Sequence, residues 1–408
     1  MVSSGLQTGL LLLVVGATGA GAAAQAKAGD ELVQNYCATC HSSRYLERSS
    51  GYSREDWASL IANMVDMSGV PEDQSALLDY LAETYPPNNR RASKPVEGAS
   101  NLEFESWLVP TLGQRPRDPV EDADGNIWWV GQWLDILGRI NPATGEMTEF
   151  ALPEGAKPHS VEIGPDGGVW YTGNKNATMG RLDPVSGQIR EFPMPDPAAR
   201  DPHTHVFDAS GMLWFSLQQS NMVGRLDPQS GETRLVTAPT PRSRPYGVKI
   251  AADGTVWVAC NGSNCLLKVD PQTMAIEEIK LPGESTHVRR LDIDAKGDIW
   301  WVNSGLGRLG RYSPKSGEIK EWPSPSGLKS HPYAIAIYKG AVWYNESGVR
   351  PDMLVRFDPE NETFQSWPMP SDDIYTGILR HMRVSRDGQS LLVHQTAGNR
   401  IMRVTYKP

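Results

Sequence analysis

The sequence is poor in cysteine, in clustered basic residues and in long apolar runs. Only 4 of its 408 residues are Cys, which excludes a disulfide-rich scaffold. Lys and Arg do not cluster, and the formal net charge is −9, so nucleic acid is excluded as a partner. A membrane-spanning helix needs about 20 apolar residues, and the apolar run at Leu10–Val15 is much shorter. No later segment is apolar enough to cross a membrane.

The N-terminus instead resembles a secretion signal. The run at Leu10–Val15 is followed by small residues that include Ala22, Ala23 and Ala24, a composition typical of signal peptidase sites. We therefore predict a signal peptide at residues 1–24, export to the periplasm and no membrane span after cleavage. An uncleaved anchor is the alternative.

A pentapeptide follows that is typical of covalent haem attachment. Residues 37–41 read Cys-Ala-Thr-Cys-His, the pattern of a c-type haem site. In this pattern Cys37 and Cys40 bind the porphyrin through thioether bonds, and His41 ligates the iron. The cofactor predicted here is haem c.

Residues 28–88 are predicted to form a small all-α domain around this haem. Ser53 precedes a helix as an N-cap, and a second helix begins at Pro71 and ends near Tyr85. Met64, on the inward face of the first helix, is the predicted sixth iron ligand, with Met67 or an open position as alternatives. The segment resembles the small class I cytochrome c domains. Residues 89–100 are polar and aperiodic, which indicates a linker.

Residues 101–408 contain a repeat that determines the fold. Six Trp recur at intervals of about 43 residues, the period of four-stranded propeller blades, at Trp128, Trp170, Trp214, Trp257, Trp300 and Trp343. A weaker seventh repeat lacks a fourth strand, and Asn101–Pro110 supplies a lone strand that would complete it and remove an exposed edge. We predict a mainly β fold, a seven-bladed propeller at residues 101–408. A solenoid of stacked repeats is the alternative.

The repeat resembles that of virginiamycin B lyase, the streptogramin lyase family. Pro-Tyr-Gly-Val opens one blade at residues 245–248, Gly-x-apolar-Trp marks the second strand and Gly-Arg-Leu-Asp-Pro the third. The resemblance implies a propeller that opens the ester of a cyclic depsipeptide by metal-assisted elimination.

Carried over residue by residue, the resemblance implies a catalytic set. His203 matches the general base, His159 the His on the substrate side and Tyr246 a Tyr at the site. Asp201 matches one Glu that binds Mg²⁺, but Gln218 stands where the family has a second Glu. Mg²⁺ prefers anionic oxygens, so this chain lacks one of the two carboxylates.

Polar side chains at the start of most blades are predicted to face the central channel. They are His159, His203, His205, Tyr246, His287, Arg289, Arg290, His331, Tyr333, Arg380 and His381. A His and Arg lining suits an anionic or carbonyl-bearing ligand. The alternative is that these rings pack between blades as part of the repeat. Elsewhere, Cys260 and Cys265 flank a short turn and form either a disulfide or two buried thiols.

Three functions follow from these features. The first is an exported electron-transfer cytochrome whose propeller binds a small-molecule substrate or a redox partner protein. The second is a carbon–oxygen lyase with an accessory haem, and the third is a propeller that only binds another protein. The haem motif favours the first, since elimination consumes no electrons.

Overall fold

The computed structural model describes residues 28–38, 43–47, 51–88, 91–284, 287–370 and 379–408. The predicted signal peptide at residues 1–24 and two of the predicted haem residues, Cys40 and His41, lie outside the described residues. None of the helices in the described part is long and apolar enough to cross a membrane.

Seven four-stranded antiparallel sheets form the body of the molecule. In chain order the first strands are β1 (Asn101–Leu108), β2 (Pro116–Glu121), β3 (Ile127–Gly131), β4 (Ile136–Ile140), β5 (Met147–Ala151), β6 (Val161–Ile163), β7 (Val169–Gly173), β8 (Thr178–Leu182), β9 (Ile189–Pro193), β10 (Pro202–Phe207), β11 (Leu213–Leu217), β12 (Met222–Leu226), β13 (Thr233–Thr237) and β14 (Pro245–Ile250). The others are β15 (Val256–Cys260), β16 (Cys265–Val269), β17 (Ile276–Lys280), β18 (Val288–Ile293), β19 (Ile299–Asn303), β20 (Arg308–Tyr312), β21 (Ile319–Pro323), β22 (Pro332–Tyr338), β23 (Ala341–Glu346), β24 (Met353–Asp358), β25 (Thr363–Pro368), β26 (Met382–Val384), β27 (Ser390–Gln395) and β28 (Arg400–Lys407).

Blades 1 to 6 are each built from four consecutive strands, beginning with β2 to β5. Blade 7 has the order β1-β28-β27-β26, so the N-terminal strand closes the ring. Asn101 pairs with Lys407 and Leu108 with Arg400 along the whole length of β1. The prediction of a seven-bladed propeller closed by an orphan first strand is confirmed.

Blades 1 to 6 each depend on a Trp in the second strand, whereas the corresponding strand of blade 7, β27, has none. All six repeat Trp are at most 2% exposed, so they form the apolar contacts between neighbouring blades. Several of them also anchor the preceding turn, because the indole Nε1–H of Trp128 donates to Asp122 at 2.7 Å and that of Trp300 donates to Asp294 at 2.9 Å. The interval between repeat Trp in the sequence is therefore the interval between residues that pack at successive blade contacts.

The outer hairpins follow from their turn residues. In blade 2 the Asp183 side chain accepts hydrogen bonds from the N–H groups of Val185 and Ser186, at 3.1 and 2.8 Å. Gly187 closes the turn at a φ of 72°, a conformation that an L side chain rarely adopts. These contacts set the register of the next strand.

The N-terminal segment holds short helices, α1 (Arg44–Glu47), α2 (Arg54–Ala62) and α3 (Pro71–Thr84), after a helical stretch that ends in a π-turn at Val33–Cys37; a 3₁₀ turn, Gly327–Lys329, lies in the propeller. Ser53 and Asp56 form a capping box at the start of α2, which confirms the predicted cap. The second of the two predicted helices, α3, also begins and ends as predicted.

Met64 does not lie on a helix, contrary to the prediction. Helix α2 ends at Ala62, because the Asn63 N–H turns back to the carbonyls of Leu60 and Ile61. Met64 therefore lies in the turn that follows, where the carbonyl of Asn63 accepts a hydrogen bond from the Gly113 N–H of the propeller at 3.1 Å. A cytochrome c domain is not evident in the described part of residues 28–88, which holds only these short helices.

Residues 91–98, within the segment interpreted as a linker, run along blade 6. Ala92 bridges Arg350, and Val96 exchanges hydrogen bonds with Ser366 at 2.9 Å in both directions. Residues 91–98 are thus held against the propeller by backbone contacts.

Candidate active site

A ring of seven side chains, one from each blade, surrounds the central channel. Each member lies at or just before the start of the innermost strand, and in blades 1 to 5 it stands eleven residues before the repeat Trp. The ring residues, in blade order, are Arg117, His159, His203, Tyr246, Arg289, Tyr333 and Arg380. They line a cavity of about 250 Å³, which makes this position the candidate ligand site.

Irregular strand pairing turns these side chains into the channel. In five blades the ladder between the first and second strands shifts register immediately beside the ring residue. In blade 3, for example, the shift falls between Pro202 and His205. A β-bulge re-aims the side chain at its position, so the repeat produces a ring rather than an alternating strand face.

Blades 2 to 4 give the ring a side that is neutral and aromatic. The imidazole rings of His159 and His203 lie 3.5 Å apart between centroids, and the His203 and Tyr246 rings are 4.0 Å apart. Burial, followed by the guanidinium charges of Arg290 and Arg117, holds the pKa of His203 well below its usual range. Burial and the charge of Arg117 do the same to the pKa of His159. Both imidazoles are therefore uncharged at neutral pH.

The two His are held by specific hydrogen bonds. His159 Nδ1–H donates to the backbone oxygen of His203 at 3.1 Å, which fixes the tautomer and leaves Nε2 with a lone pair. His203 Nδ1 lies 3.0 Å from Thr204 Oγ1. Burial, and next the nearby Tyr333, raise the pKa of Tyr246, so its phenol stays protonated.

The remaining blades give the ring a cationic side. The guanidinium carbon of Arg289 lies 4.6 Å from the ring centre of Tyr333, and that of Arg380 lies 5.3 Å from it. Arg380 Nη1 donates to the Tyr333 hydroxyl at 3.3 Å, and the Tyr246 hydroxyl also hydrogen-bonds this oxygen. Burial raises the pKa of Tyr333, but the charges of Arg289, Arg380 and Arg117 outweigh it, and the pKa falls to about 6. The Tyr333 hydroxyl is thus more acidic than that of an ordinary tyrosine.

One buried carboxylate lies a layer below the ring. Asp118 is fully buried, with Arg290 Nη2 at 3.4 Å and His381 Nδ1 at 3.8 Å. Arg290 also donates to Thr204 Oγ1 at 3.3 Å and to the carbonyl of Arg380 at 3.1 Å. This layer ties blades 1, 3, 5 and 7 together beneath the cavity.

The donor set around Asp201 does not suit Mg²⁺. Both Asp201 oxygens accept a hydrogen bond from the Gln219 N–H at 2.9 Å, and burial raises the pKa of this carboxyl to about 7. Gln218 lines the same cavity but brings only an amide. Mg²⁺ favours anionic oxygen ligands, and the cavity supplies cations instead.

The structure brings together His159, His203, Tyr246, Asp201 and Gln218, as the sequence predicts. Several other predicted channel residues do not line the cavity. His205 is buried beneath it, His287 lies on an exposed turn, His331 lies beside β22, and Arg290 and His381 belong to the layer below. Arg290 and His381 directly follow a ring residue, and successive side chains of a strand point to opposite faces. His205, His287 and His331 are two residues from a ring residue, further along the chain or before it.

Arg117 is the ring residue that sequence reasoning missed. Its blade opens with Pro-Arg rather than Pro-His or Pro-Tyr. The constant spacing of eleven residues before Trp128 is the signal that identifies it. This spacing is more reliable than residue type, since the ring position accepts three kinds of side chain.

The described residues predicted to bind haem, and the pair Cys260 and Cys265, do not line the channel cavity. Cys37 and Met64 are partly buried against the helical cluster that includes Trp57 and Leu77, while Met67 is 2% exposed within it. In the described residues, no group of three or more His, Cys, Asp and Glu side chains is placed to hold a metal ion. Cys260 and Cys265 are free thiols with their sulfur atoms 3.0 Å apart.

Comparison with known proteins places the fold and site in a family. The sequence matches the Virginiamycin B lyase family over residues 98–349. The chain belongs to the virginiamycin B lyase family. A comparison with curated protein sequences gave no match.

Solved structures of other proteins share the fold. Virginiamycin B lyase from Staphylococcus aureus has a TM-score of 0.67 at 22% identity, covering 75% of this chain and 99% of its own. A catalytically inactive variant of that enzyme with quinupristin gives 0.66 at 24% identity, covering 74% and 99%. Hydrazine synthase from Kuenenia stuttgartiensis gives 0.59 at 15% identity, covering 73% and 96%. Identities this low show the common propeller fold.

Membership of the virginiamycin B lyase family corrects the main functional prediction. The prediction that the protein functions as an electron-transfer cytochrome is wrong, and the family match over residues 98–349 favours the lyase alternative. The error came from weighing one pentapeptide above a repeat that fills three quarters of the chain. A cofactor motif indicates what a segment can bind, whereas the cavity determines which reaction the larger domain supports.

Proposed function

We propose that this protein is a carbon–oxygen lyase that opens an ester bond of a cyclic, peptide-like substrate by elimination. The supporting observation is that a chain of this family has two neutral imidazoles and a phenol in one channel cavity, formed by the residues for which the resemblance implies catalytic roles. A solved relative was studied with quinupristin, which makes a streptogramin B the first substrate to test.

His203 is the proposed general base. With Nδ1–H donating to Thr204 Oγ1, its Nε2 lone pair takes the proton from the carbon next to a carbonyl. The electron pair of that C–H bond becomes a carbon–carbon double bond, and the ester C–O bond breaks with its pair leaving on the carboxylate. A base must be uncharged to act, and the low pKa of the His203 imidazole keeps it so at neutral pH.

His159 and Tyr246 flank His203 and position the substrate. His159 packs against His203 with its ring tilted by 36° and offers an Nε2 lone pair to a substrate N–H. Tyr246, whose ring lies 4.0 Å from that of His203, contacts the substrate from the other side. Both residues are at most 4% exposed, so their rings hold a fixed geometry around the base.

A haem remains proposed as an accessory group of the N-terminal segment. Cys37 and Met64 pack against the same helical cluster, so a thiol and a thioether of the kind that bind haem lie on one small surface. Elimination moves no electrons, so the haem has no part in the bond changes above. Absorbance spectra of the exported protein, oxidised and reduced, test this attachment independently of lyase activity.

The decisive experiment follows quinupristin by chromatography and mass spectrometry. Elimination opens the ring without changing the mass, whereas hydrolysis adds one water. We expect ring opening at constant mass, and a loss of about 10²-fold or more in His203→Ala because the base is removed. His287→Ala, on an exposed turn, is the matched control and keeps full activity.

Two outcomes would contradict this proposal. Recovery of intact quinupristin from the wild-type protein would leave the propeller as a binding module. Equal activity of wild type and His203→Ala would assign the base to another residue.

A further inference from the structure

The cavity carries far more positive than negative charge. Among the described residues that line it, the cations are Arg115, Arg117, Lys175, Arg289 and Arg380, and Asp201 is the one carboxyl group. The pKa of Asp201 near 7 removes part of its negative charge as well. We infer that Arg117, Arg289 and Arg380 form a carboxylate-binding site, which holds the carboxylate released by the elimination proposed above.

Arg117 has unused hydrogen-bonding capacity at this site. Its side chain is 2% exposed, and Nη1 donates to Gln132 at 2.9 Å. Nη2 has no hydrogen-bond partner among the described residues. A buried guanidinium N–H without an acceptor is costly, and a ligand oxygen would remove that cost.

Tyr333 occupies the place of the ligand anion in the free protein. Its hydroxyl oxygen accepts from Arg380, and the charges of Arg289 and Arg117 also act on it. The other groups facing it are Tyr246, which hydrogen-bonds its oxygen, and His331, whose ring is 6.0 Å away. A phenol oxygen placed among several guanidinium groups indicates a site that favours negative oxygen.

The cationic side of the ring also explains why the predicted Mg²⁺ position lacks one of its two carboxylates. Gln218 stands where the resemblance implies a second Glu, and three guanidinium groups lie across the ring, so this cavity favours an anion over a cation. Guanidinium groups bind carboxylates through paired N–H donors. We assign to them the neutralisation of the leaving group, a task that the family assigns to a metal.

The arrangement places base and anion site on opposite sides of one phenol. Tyr246 stands between His203 of blade 3 and Arg289 of blade 5, with Arg289 5.9 Å from its ring centre. Elimination requires a proton to leave from one carbon and a carboxylate from the next. A ring with a neutral base on one side and cations on the other matches that separation of charge.

The test uses two probes that differ only in charge, N-acetylphenylalanine and its amide. Binding to the purified full-length protein is measured by calorimetry at pH 8. We expect the acid to bind at least about tenfold more tightly than the amide, since bonds to charged groups are worth that much. Equal affinity of the two probes would overturn the inference.

Variants of the ring arginines test whether these residues discriminate between the acid and the amide. Arg289→Gln and Arg380→Gln should each weaken binding of the acid by about tenfold and leave the amide unchanged. Arg308→Gln, on an outer strand where Arg308 pairs with Glu321, is the matched control and should bind like the wild type. Unchanged acid binding in both ring variants would overturn the inference, and the comparison of probes on wild type stands even if a variant fails to fold.

Tyr333 gives a direct optical signal. The bound acid competes with the Tyr333 oxygen for the guanidinium groups of Arg289 and Arg380, so binding changes the near-ultraviolet absorbance of this tyrosine. Tyr333→Phe should abolish this signal and bind the acid at least as tightly as wild type. Weaker binding by Tyr333→Phe would contradict the exchange of the tyrosine oxygen for a carboxylate.

The inference rests on the proposed lyase function, but different experimental results would reject the carboxylate site and the lyase function. Preference for the acid without ring opening of quinupristin would preserve the carboxylate site and reject the lyase. Ring opening without any preference for the acid would preserve the lyase and reject the carboxylate site.

Discussion

The two sides of the channel ring have the same backbone and opposite chemistry. Blades 2 to 4 present His159, His203 and Tyr246, which are neutral, whereas blades 5, 7 and 1 present three arginines. All these side chains occupy one equivalent position of a repeat, so the fold supplies the geometry and the residue choice supplies the function. The comparison shows how a symmetric propeller can hold an asymmetric reaction.

The largest effect on turnover is expected from a variant that places a cation on the neutral side of the ring. In His203→Arg the proposed base disappears and a cation replaces it. We expect turnover of quinupristin to fall about 10³-fold or more, while N-acetylphenylalanine still binds. Steady-state kinetics and calorimetry on the same preparation measure both quantities. Retained turnover would show that the general base does not lie on the neutral side of the ring.

Acidification should destabilise the neutral side through its buried imidazoles. An unfolded His has a pKa of about 6.5, and burial lowers the pKa of His205 to about 3 in the folded protein. Between these values the unfolded state binds more protons, so stability is present above pH 6.5 and falls as pH decreases. Each such His contributes about 1.4 kcal/mol per pH unit.

Denaturant unfolding at pH 7.5 and 5.5 measures this loss. His205→Phe should reduce the dependence on pH, since it removes one buried imidazole outside the cavity. Asp201 acts in the opposite direction, because its raised pKa adds stability as the pH falls from 7 towards 4, and it offsets about one His. Stability that does not change over this range would contradict the buried, neutral state of the imidazoles.

The smallest effect is expected from a change within the cationic side. Arg380→Lys keeps the charge but loses the planar fork that matches a carboxylate. We expect a several-fold weaker binding of N-acetylphenylalanine, about 1 kcal/mol, and little change for its amide. A loss as large as that of Arg380→Gln would show that geometry, more than charge, governs this side.

The sequence was sufficient to predict the fold because its signals are local. The Trp in the second strand of blades 1 to 6 and the turn residues of the outer hairpins act within a few residues of themselves, so their spacing reveals six blades. The weaker last repeat adds the seventh. The closing strand β1 was predictable as well, because the last repeat was one strand short.

The site could be predicted only in part. His159, His203 and Tyr246 stood out by resemblance, but the cationic side depends on which of several adjacent residues faces the channel. Bulges decide this, and a bulge arises from pairing between strands that the sequence does not display. Met64 was placed on a helix for a similar reason, since the backbone turn at Asn63 leaves no clear pattern in the residue types.

Closure of blade 7 has a consequence for the order of folding. Strands β1 and β28 lie about 300 residues apart in sequence, so their pairing has one of the largest loop-closure costs in the molecule. Blades 1 to 6 are each built from consecutive strands and can form as the chain emerges, whereas β1 must wait for the final strand. We expect the ring, and with it the contact between blades 7 and 1 beside Arg117, to be completed last.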